Sequence, residues 1–306
     1  VCTLLAWAVA SASPARAGTE WWVVAARLDS GDQLIVEFTI TDLGPGESNA
    51  AAIGHWVAPD GTLTPFSRAK LSGSWTPSPD GRRFDLEKFW FDRTQAQARL
   101  RVEKQSLRIA LDFPLGSAPL ATQQLAGGRW TQTLWTAGAP ARATLWKRGM
   151  GAPRASVGRV ALSQRRTGAP EAQLAERRLE AFSLGAAPLY AVEVAKGGRA
   201  ERWMVACDER GKPVAQDVVV AATRDDLAAV SPQLALPGPA VRGTLRAGAR
   251  LAAYDPLADL PGLIRLALGL RLQSVWTASP FALDVREGAG SVHREGTAIA
   301  SYTLYQ

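Results

Sequence analysis

The sequence predicts an all-β protein of sandwich or barrel architecture, with few short helices. Three observations carry this: repeated period-2 alternation of apolar and polar residues, turn signals at short intervals, and a scarcity of helical periodicity. In Leu34–Thr41, Leu34, Val36, Phe38 and Ile40 point to one side and Ile35, Glu37, Thr39 and Thr41 to the other. Ala98–Glu103 sets small or apolar residues against Arg99, Arg101 and Glu103, and Leu107–Phe113 aligns Leu107, Ile109, Leu111 and Phe113. Such alternation marks half-buried antiparallel strands.

Further strands are expected at Trp21–Leu28, Ala51–Val57, Arg83–Phe91, Trp130–Trp135, Ala143–Lys147, Val157–Ser163, Leu189–Ala195, Arg202–Ala206, Gln216–Ala222, Ser274–Ala278 and Thr297–Tyr305. Turn signals separate many of them, among them Asp29–Asp32, Pro59-Asp60-Gly61, Pro79-Asp80-Gly81, Gly197-Gly198 and Glu209-Arg210-Gly211. Helices are expected only at Ala169–Leu179 and Leu257–Leu270, the latter in an amphipathic stretch interrupted by Arg265 and Arg271. A domain boundary is placed at Ala139-Pro140, between the loop-like stretches Gly116–Gly128 and Gly149–Pro153. The expected units are 1–17, 18–139 and 140–306. No short repeat is visible, yet the halves are compatible with two versions of one barrel.

The first unit reads as an export signal. Val1–Ala10 is apolar and uncharged, and Ser11–Ala17 follows it, ending in Ala15-Arg16-Ala17. An apolar core followed by a small-x-small site is the secretory pattern. The expected location is periplasmic or extracellular. Cys2 leaves with that signal, so Cys207 remains without an internal disulfide partner and reads as a small buried hydrophobe on a strand.

The net charge of +7 and a pI of about 9.8 raise the question of polyanionic partners. The basic residues are scattered, though, and Arg82-Arg83, Arg165-Arg166 and Arg177-Arg178 are isolated pairs. They read as solvated surface charges, and no nucleic-acid partner is expected. With two His and no neighbouring Cys, no metal site is expected either, and no phosphate-binding glycine loop or nucleophile elbow points to a cofactor or a serine nucleophile.

Tryptophan is the unusual component: 11 Trp stand against 4 Tyr and 8 Phe. An indole offers a large apolar face and one N–H donor, which suits a ligand cavity as well as a barrel core. Glu20-Trp21-Trp22 is the most distinctive motif. Adjacent residues on a strand face opposite ways, so one indole lines an interior and the other covers an exterior.

Glu20-Trp21-Trp22-Val23-Val24, the turn Asp29–Asp32 and the strand Leu34–Thr41 together resemble the opening of the carotenoid 1,2-hydratase (hydroxyneurosporene synthase) and AttH-like proteins. That family usually reads Glu-Trp-Trp-Tyr there, and Val23 replaces the Tyr. Ile53-Gly54-His55-Trp56, Phe84–Phe91 and Gly296–Tyr305 echo later parts of the pattern. The resemblance implies two consecutive lipocalin-like antiparallel β-barrels. It also implies apolar ligands or substrates, and for some members an exported role beside ABC-type transport systems. Its hydratases use a His-x-Trp and a Tyr-x-Asp pair. Here His55-Trp56 and Tyr254-Asp255 are adjacent, and His293 precedes Arg294-Glu295, so neither pair is present.

The reading that follows is an exported binding protein for a lipid, isoprenoid or other apolar molecule, beside a membrane transporter. Trp21, Trp22, His55, Trp56, Trp90 and Trp276 are its expected ligand-binding residues. The alternative is a hydratase, isomerase or cyclase working by acid catalysis on an apolar, isoprenoid-like substrate. Protonating an alkene needs a carboxyl kept protonated by an apolar site, and Glu20 beside the Trp pair is the first candidate. Asp284 is the second, and His293 the third as a general acid or base.

Overall fold

The computed structural model describes residues 19–41, 49–70, 75, 82–93, 96–186, 188–222, 234–246, 249–254 and 272–305. The first sheet contains β1 (Thr19–Leu28), β2 (Gln33–Thr41), β3 (Asn49–Val57), β4 (Leu63–Lys70), β5 (Arg83–Asp85), β6 (Phe89–Asp92), β7 (Gln97–Lys104), β8 (Leu107–Pro114), β9 (Ala121–Leu125), β10 (Trp130–Lys147) and β11 (Arg154–Thr167). A four-residue helix, α1 (Glu171–Leu174), leads to the second sheet. That sheet contains β12 (Arg177–Ser183), β13 (Leu189–Lys196), β14 (Arg199–Cys207), β15 (Pro213–Ala222), β16 (Leu234–Pro237), β17 (Val241–Leu245), β18 (Ala249–Tyr254), β19 (Leu272–Glu287) and β20 (Gly290–Tyr305). Both sheets are antiparallel and curl into barrel-like folds.

The two sheets share one plan. The first runs β4-β3-β2-β1-β11-β10-β8-β7-β6-β5 and the second β15-β14-β13-β12-β20-β19-β17-β16. In each, the first strand of the unit pairs with its last. In each, the long penultimate strand also holds a short extra strand, β9 on β10 and β18 on β19. The common order gives structural substance to the notion of two versions of one barrel.

Alternation fills each barrel. Trp22, Val24, Leu34, Val36, Phe38, Trp56, Leu100, Ile109 and Leu111 belong to one buried cluster inside the first. Leu179, Ala181, Met204, Val241, Leu283 and Tyr302 belong to another inside the second. A third cluster draws on both sheets, joining Val23, Ala25, Ile35, Trp130 and Ala161 of the first to Phe182, Tyr190, Val192, Trp203, Trp276 and Ile299 of the second. The barrels therefore press outer face to outer face. This is why β1, β12 and β13 are buried on both sides rather than wet on one.

Three expectations are corrected. Ala139-Pro140 lies inside β10, and the passage from one sheet to the other falls between Thr167 and Arg177. The place read as a boundary is an irregularity in a continuous strand, with register shifts between Leu134 and Ala139 against β11. Ala169–Leu179 yields one helical turn and then the start of β12. Arg165 and Arg178, read as solvated, are 2% and 1% exposed. The 1–17 segment and Leu257–Leu270 lie outside the described residues.

Gly138 makes the β10 irregularity possible. Its φ is +70°, and a Cβ there would stand 2.5 Å from Cγ of Pro188. Backbone and space both oppose a side chain. Gly138→Ala should lower the unfolding free energy by about 1–3 kcal/mol, read as a drop in the urea midpoint. An unchanged midpoint would contradict the close approach.

Candidate functional site

The face between the barrels carries charge. On β12, alternation puts Arg178, Glu180 and Phe182 on the side turned to the first barrel, where Ser163 and Arg165 of β11 and Gln132 of β10 meet them. Glu180 is fully enclosed. Its Oε1 accepts from Ser163 Oγ at 2.5 Å, Tyr190 Oη at 2.8 Å and Gln132 Nε2 at 3.3 Å. Its Oε2 accepts from Arg178 Nη1 at 2.8 Å, with Arg165 Nη1 at 3.6 Å. Donors on every side are what a carboxylate requires.

The network extends both ways. Gln132 Nε2 donates to Tyr190 Oη at 2.6 Å, and Gln132 Oε1 accepts from Trp130 Nε1 at 3.0 Å. A chain of donors, Trp130 to Gln132 to Tyr190, thus ends on Glu180. On the other side Arg165 Nε donates to Glu171 Oε1 at 2.6 Å, and the Tyr305 hydroxyl donates to Glu171 Oε2. Arg178 Nη2 donates to Thr303 Oγ1 at 3.1 Å, and the Arg165 guanidinium lies 4.3 Å from the centre of the Trp21 ring.

Burial, and then the charge of Glu180, push the Tyr190 hydroxyl well above the ordinary phenol range. Burial and Glu171 do the same to Tyr305. For Arg178, burial works against the charge, but Tyr305, Glu180, Glu171 and Glu37 outweigh it and hold the guanidinium protonated. Both phenols therefore hold their protons more firmly than an ordinary tyrosine does. Each is seated against a carboxylate, and the Tyr190 oxygen has an amide donor on its other side. The raised pKa makes Tyr190 a weak acid, so its proton passes only to an atom more basic than itself, and the Gln132 amide then donates to the oxygen left behind.

A second place is the mouth of the first barrel. Glu20 Oε1 accepts from Trp22 Nε1 at 2.9 Å, Gln164 Nε2 at 2.7 Å and Arg166 Nη2 at 3.2 Å. Gln164 in turn accepts from Trp135 Nε1 at 3.1 Å. The Arg93 guanidinium lies flat over Trp22, 3.3 Å from its ring centre. A cavity of about 210 Å³ opens beside it, lined by Arg82, Arg93, Ala96, Leu115, Ser117 and Trp135.

The residues singled out from the sequence separate into several places. Trp21 and Trp276 border the inter-barrel network. Glu20 and Trp22 sit at the barrel mouth. Trp56 is inside the first barrel, donating to the enclosed Asp32 at 2.7 Å, where Arg154 also binds. Trp90 is on the outside of that barrel, between Arg83 and Arg101. His55 is 3% exposed on the outer face of β3, and burial lowers its pKa to about 4. Asp284 and His293 are cross-strand partners joined at 2.8 Å, but their side chains are 59% and 62% exposed. Cys207 is enclosed, and burial pushes its thiol up to about 12. Among the described residues no three His, Cys, Asp or Glu side chains gather as a metal site would need. No described helix is long and apolar enough to cross a membrane.

Glu180, Tyr190, Gln132, Arg178, Glu171 and Tyr305 were not among the sequence candidates. The available signal was a charged residue at alternate positions of a strand, Arg178-x-Glu180, followed by a strand that sets Tyr190, Val192 and Val194 on one face.

No family model and no curated protein matches this sequence. Solved structures do. A candidate AttH from Nitrosomonas europaea is 12% identical over 98% of this chain and 97% of its own, with a TM-score of 0.62. CghA is 12% identical over 94% and 88%, with a TM-score of 0.57. Kievitone hydratase from Nectria haematococca is 10% identical over 95% and 89%, with a TM-score of 0.56. At these identities the likeness is one of fold. Along nearly its whole length, then, this chain is similar in fold to AttH-like and hydratase structures.

Proposed function

We propose that the protein is an acid–base enzyme of the hydratase, isomerase or cyclase class, acting on a mainly apolar substrate at the face between its barrels. The observation that carries this is the enclosed chain Gln132–Tyr190–Glu180, with donor–acceptor distances of 2.6 and 2.8 Å. A structural neighbour named as a hydratase supports the same class. In this reading Tyr190 gives its proton to the substrate. Gln132 donates to the phenolate oxygen so formed. Glu180 holds the hydroxyl in place, takes up the proton released when water adds, and passes it across the 2.8 Å contact to the phenolate, so that Tyr190 is a phenol again. Trp21, Trp203 and Trp276 exclude solvent, which strengthens each of these contacts.

Tyr190→Phe keeps the ring and removes the hydroxyl. Incubated with a panel of prenylated and polyene compounds, wild-type protein should yield a product heavier by one water or an isomer of equal mass. The variant should lose at least 10²-fold of that rate while keeping its melting temperature within a few degrees. Equal rates in the two proteins would end the reading.

A carrier is the second reading, favoured by the barrel-mouth cavity with its Trp and Arg lining. Native mass spectrometry of protein from its own envelope separates the two: a carrier retains an apolar molecule unchanged, an enzyme converts it. Export and a transporter partner belong to this second reading, the first resting on the sequence of residues 1–17 and the second on the family resemblance.

A further inference from the structure

Four donors that border the Glu180 network have no acceptor among the described residues: Nε1 of Trp21, Trp203 and Trp276, and Oγ of Ser301. Trp203, Trp276 and Ser301 are 0% exposed. Strand register fixes their places. Ser301 stands opposite Glu180, and Trp276 opposite Ser301. On the other flank Val192 stands opposite Glu180, and Trp203 opposite Val192. One row across five strands therefore reads Trp203, Val192, Glu180, Ser301, Trp276, all on the side turned to the first barrel. Trp21 enters from the facing sheet, beneath Arg165.

A buried donor left without an acceptor costs about 1–3 kcal/mol, and native proteins leave few such groups. Here these four share one face, and each of them lacks an acceptor. The nearby carboxylate does not supply it, because Glu180 already accepts from four groups. Four strand spacings of about 4.8 Å separate the Trp203 and Trp276 backbones, so the donors address separate oxygens rather than one.

We infer that the substrate is an oxygenated apolar molecule, a rigid skeleton with acceptor oxygens (carbonyl or ether) on opposite sides, and not a hydrocarbon. The inference rests on the reading that this face takes the substrate. It assigns Trp203 at one end, and Trp276 with Ser301 at the other, as the groups that recognise those oxygens.

Three tricyclic probes of nearly equal shape test it by calorimetric titration: xanthone with a carbonyl and a ring ether, xanthene with the ether alone, and 9,10-dihydroanthracene with neither. Affinity should fall about tenfold with each oxygen lost, the equivalent of one hydrogen bond. Trp203→Phe and Trp276→Phe should each remove one step of that ladder and leave the hydrocarbon unchanged. Ser301→Ala, which deletes a single hydroxyl, is the variant least able to disturb folding and should weaken xanthone alone. Equal affinity for the three probes, no binding of any, or a ladder untouched by all three substitutions overturns the inference. Tyr190→Phe should keep the ladder. A ladder in a protein that turns nothing over would sink the enzyme reading and leave this one standing.

Discussion

Glu180→Ala should lower the unfolding free energy by about 3–5 kcal/mol, the cost of breaking a buried ion pair from one side. Alanine removes the partner of Arg178 at 2.8 Å and leaves that guanidinium enclosed. It also strands the donors of Ser163, Tyr190 and Gln132. Glu180→Gln preserves volume and one acceptor oxygen, so its loss should be smaller, about 2 kcal/mol. A double-mutant cycle isolates the pair. Arg178→Met alone leaves Glu180 short of its strongest donor and Glu180→Leu alone leaves Arg178 unpaired, whereas Glu180→Leu with Arg178→Met replaces both charges by apolar groups. The double variant should therefore be more stable than the sum of the single losses allows. Urea unfolding measures the wild type and each variant. Additive losses, or a Glu180→Ala loss below about 0.5 kcal/mol, would show that the charges are solvated and the inter-barrel face is not closed.

The fold was legible because a strand writes its inner face into alternate residues. Leu34, Val36 and Phe38 all proved to be interior, as did Leu107, Ile109 and Leu111. The other face was misread for a physical reason. In Leu34–Thr41 the outward set is Ile35, Glu37, Thr39 and Thr41, the pattern of a strand wet on one side. Yet Ile35, Glu37 and Thr39 are 1%, 3% and 6% exposed. Polar residues on a strand look alike whether water or a second barrel covers them, and only tertiary packing decides. The same ambiguity hid Arg165, Arg178 and Glu180. Sequence reasoning sought an acid next to aromatic residues in the chain and settled on Glu20. The structure instead assembles its buried acid from five strands, with Tyr190 ten residues from Glu180 and Gln132 forty-eight away. The Glu20-Trp21-Trp22 motif splits across its strand: Trp22 fills the first barrel, and Trp21, on the opposite face, lies against Arg165. Local sequence thus located the seam between the barrels without revealing the chemistry set into it.

Acid should weaken the fold through His55 in a defined window. Burial lowers its pKa from 6.5 to about 4, because the enclosed ring resists a charge. Its cross-strand neighbours are Ile35 on β2 and Pro65 on β4. Between those two pH values the unfolded chain binds a proton that the folded chain refuses. The folded state therefore loses stability as pH falls through 6.5 and has lost the whole contribution by about pH 4. At 1.36 kcal/mol per pH unit the total is about 3 kcal/mol. His55→Gln abolishes the titration while keeping a side chain of similar size. Carboxylates and the exposed His293 are common to both proteins, so their contributions cancel in the difference. Urea unfolding of the pair at steps from pH 7 to pH 4 should show wild type losing stability relative to the variant by about 3 kcal/mol across the window. A difference independent of pH would mean that the folded ring takes up its proton as readily as the unfolded one, and hence that the face of β3 turned away from the barrel interior admits water. The closed seam would then end before it reached β3, and the solvent-free site proposed between the barrels would be confined to β1, β11 and the second sheet.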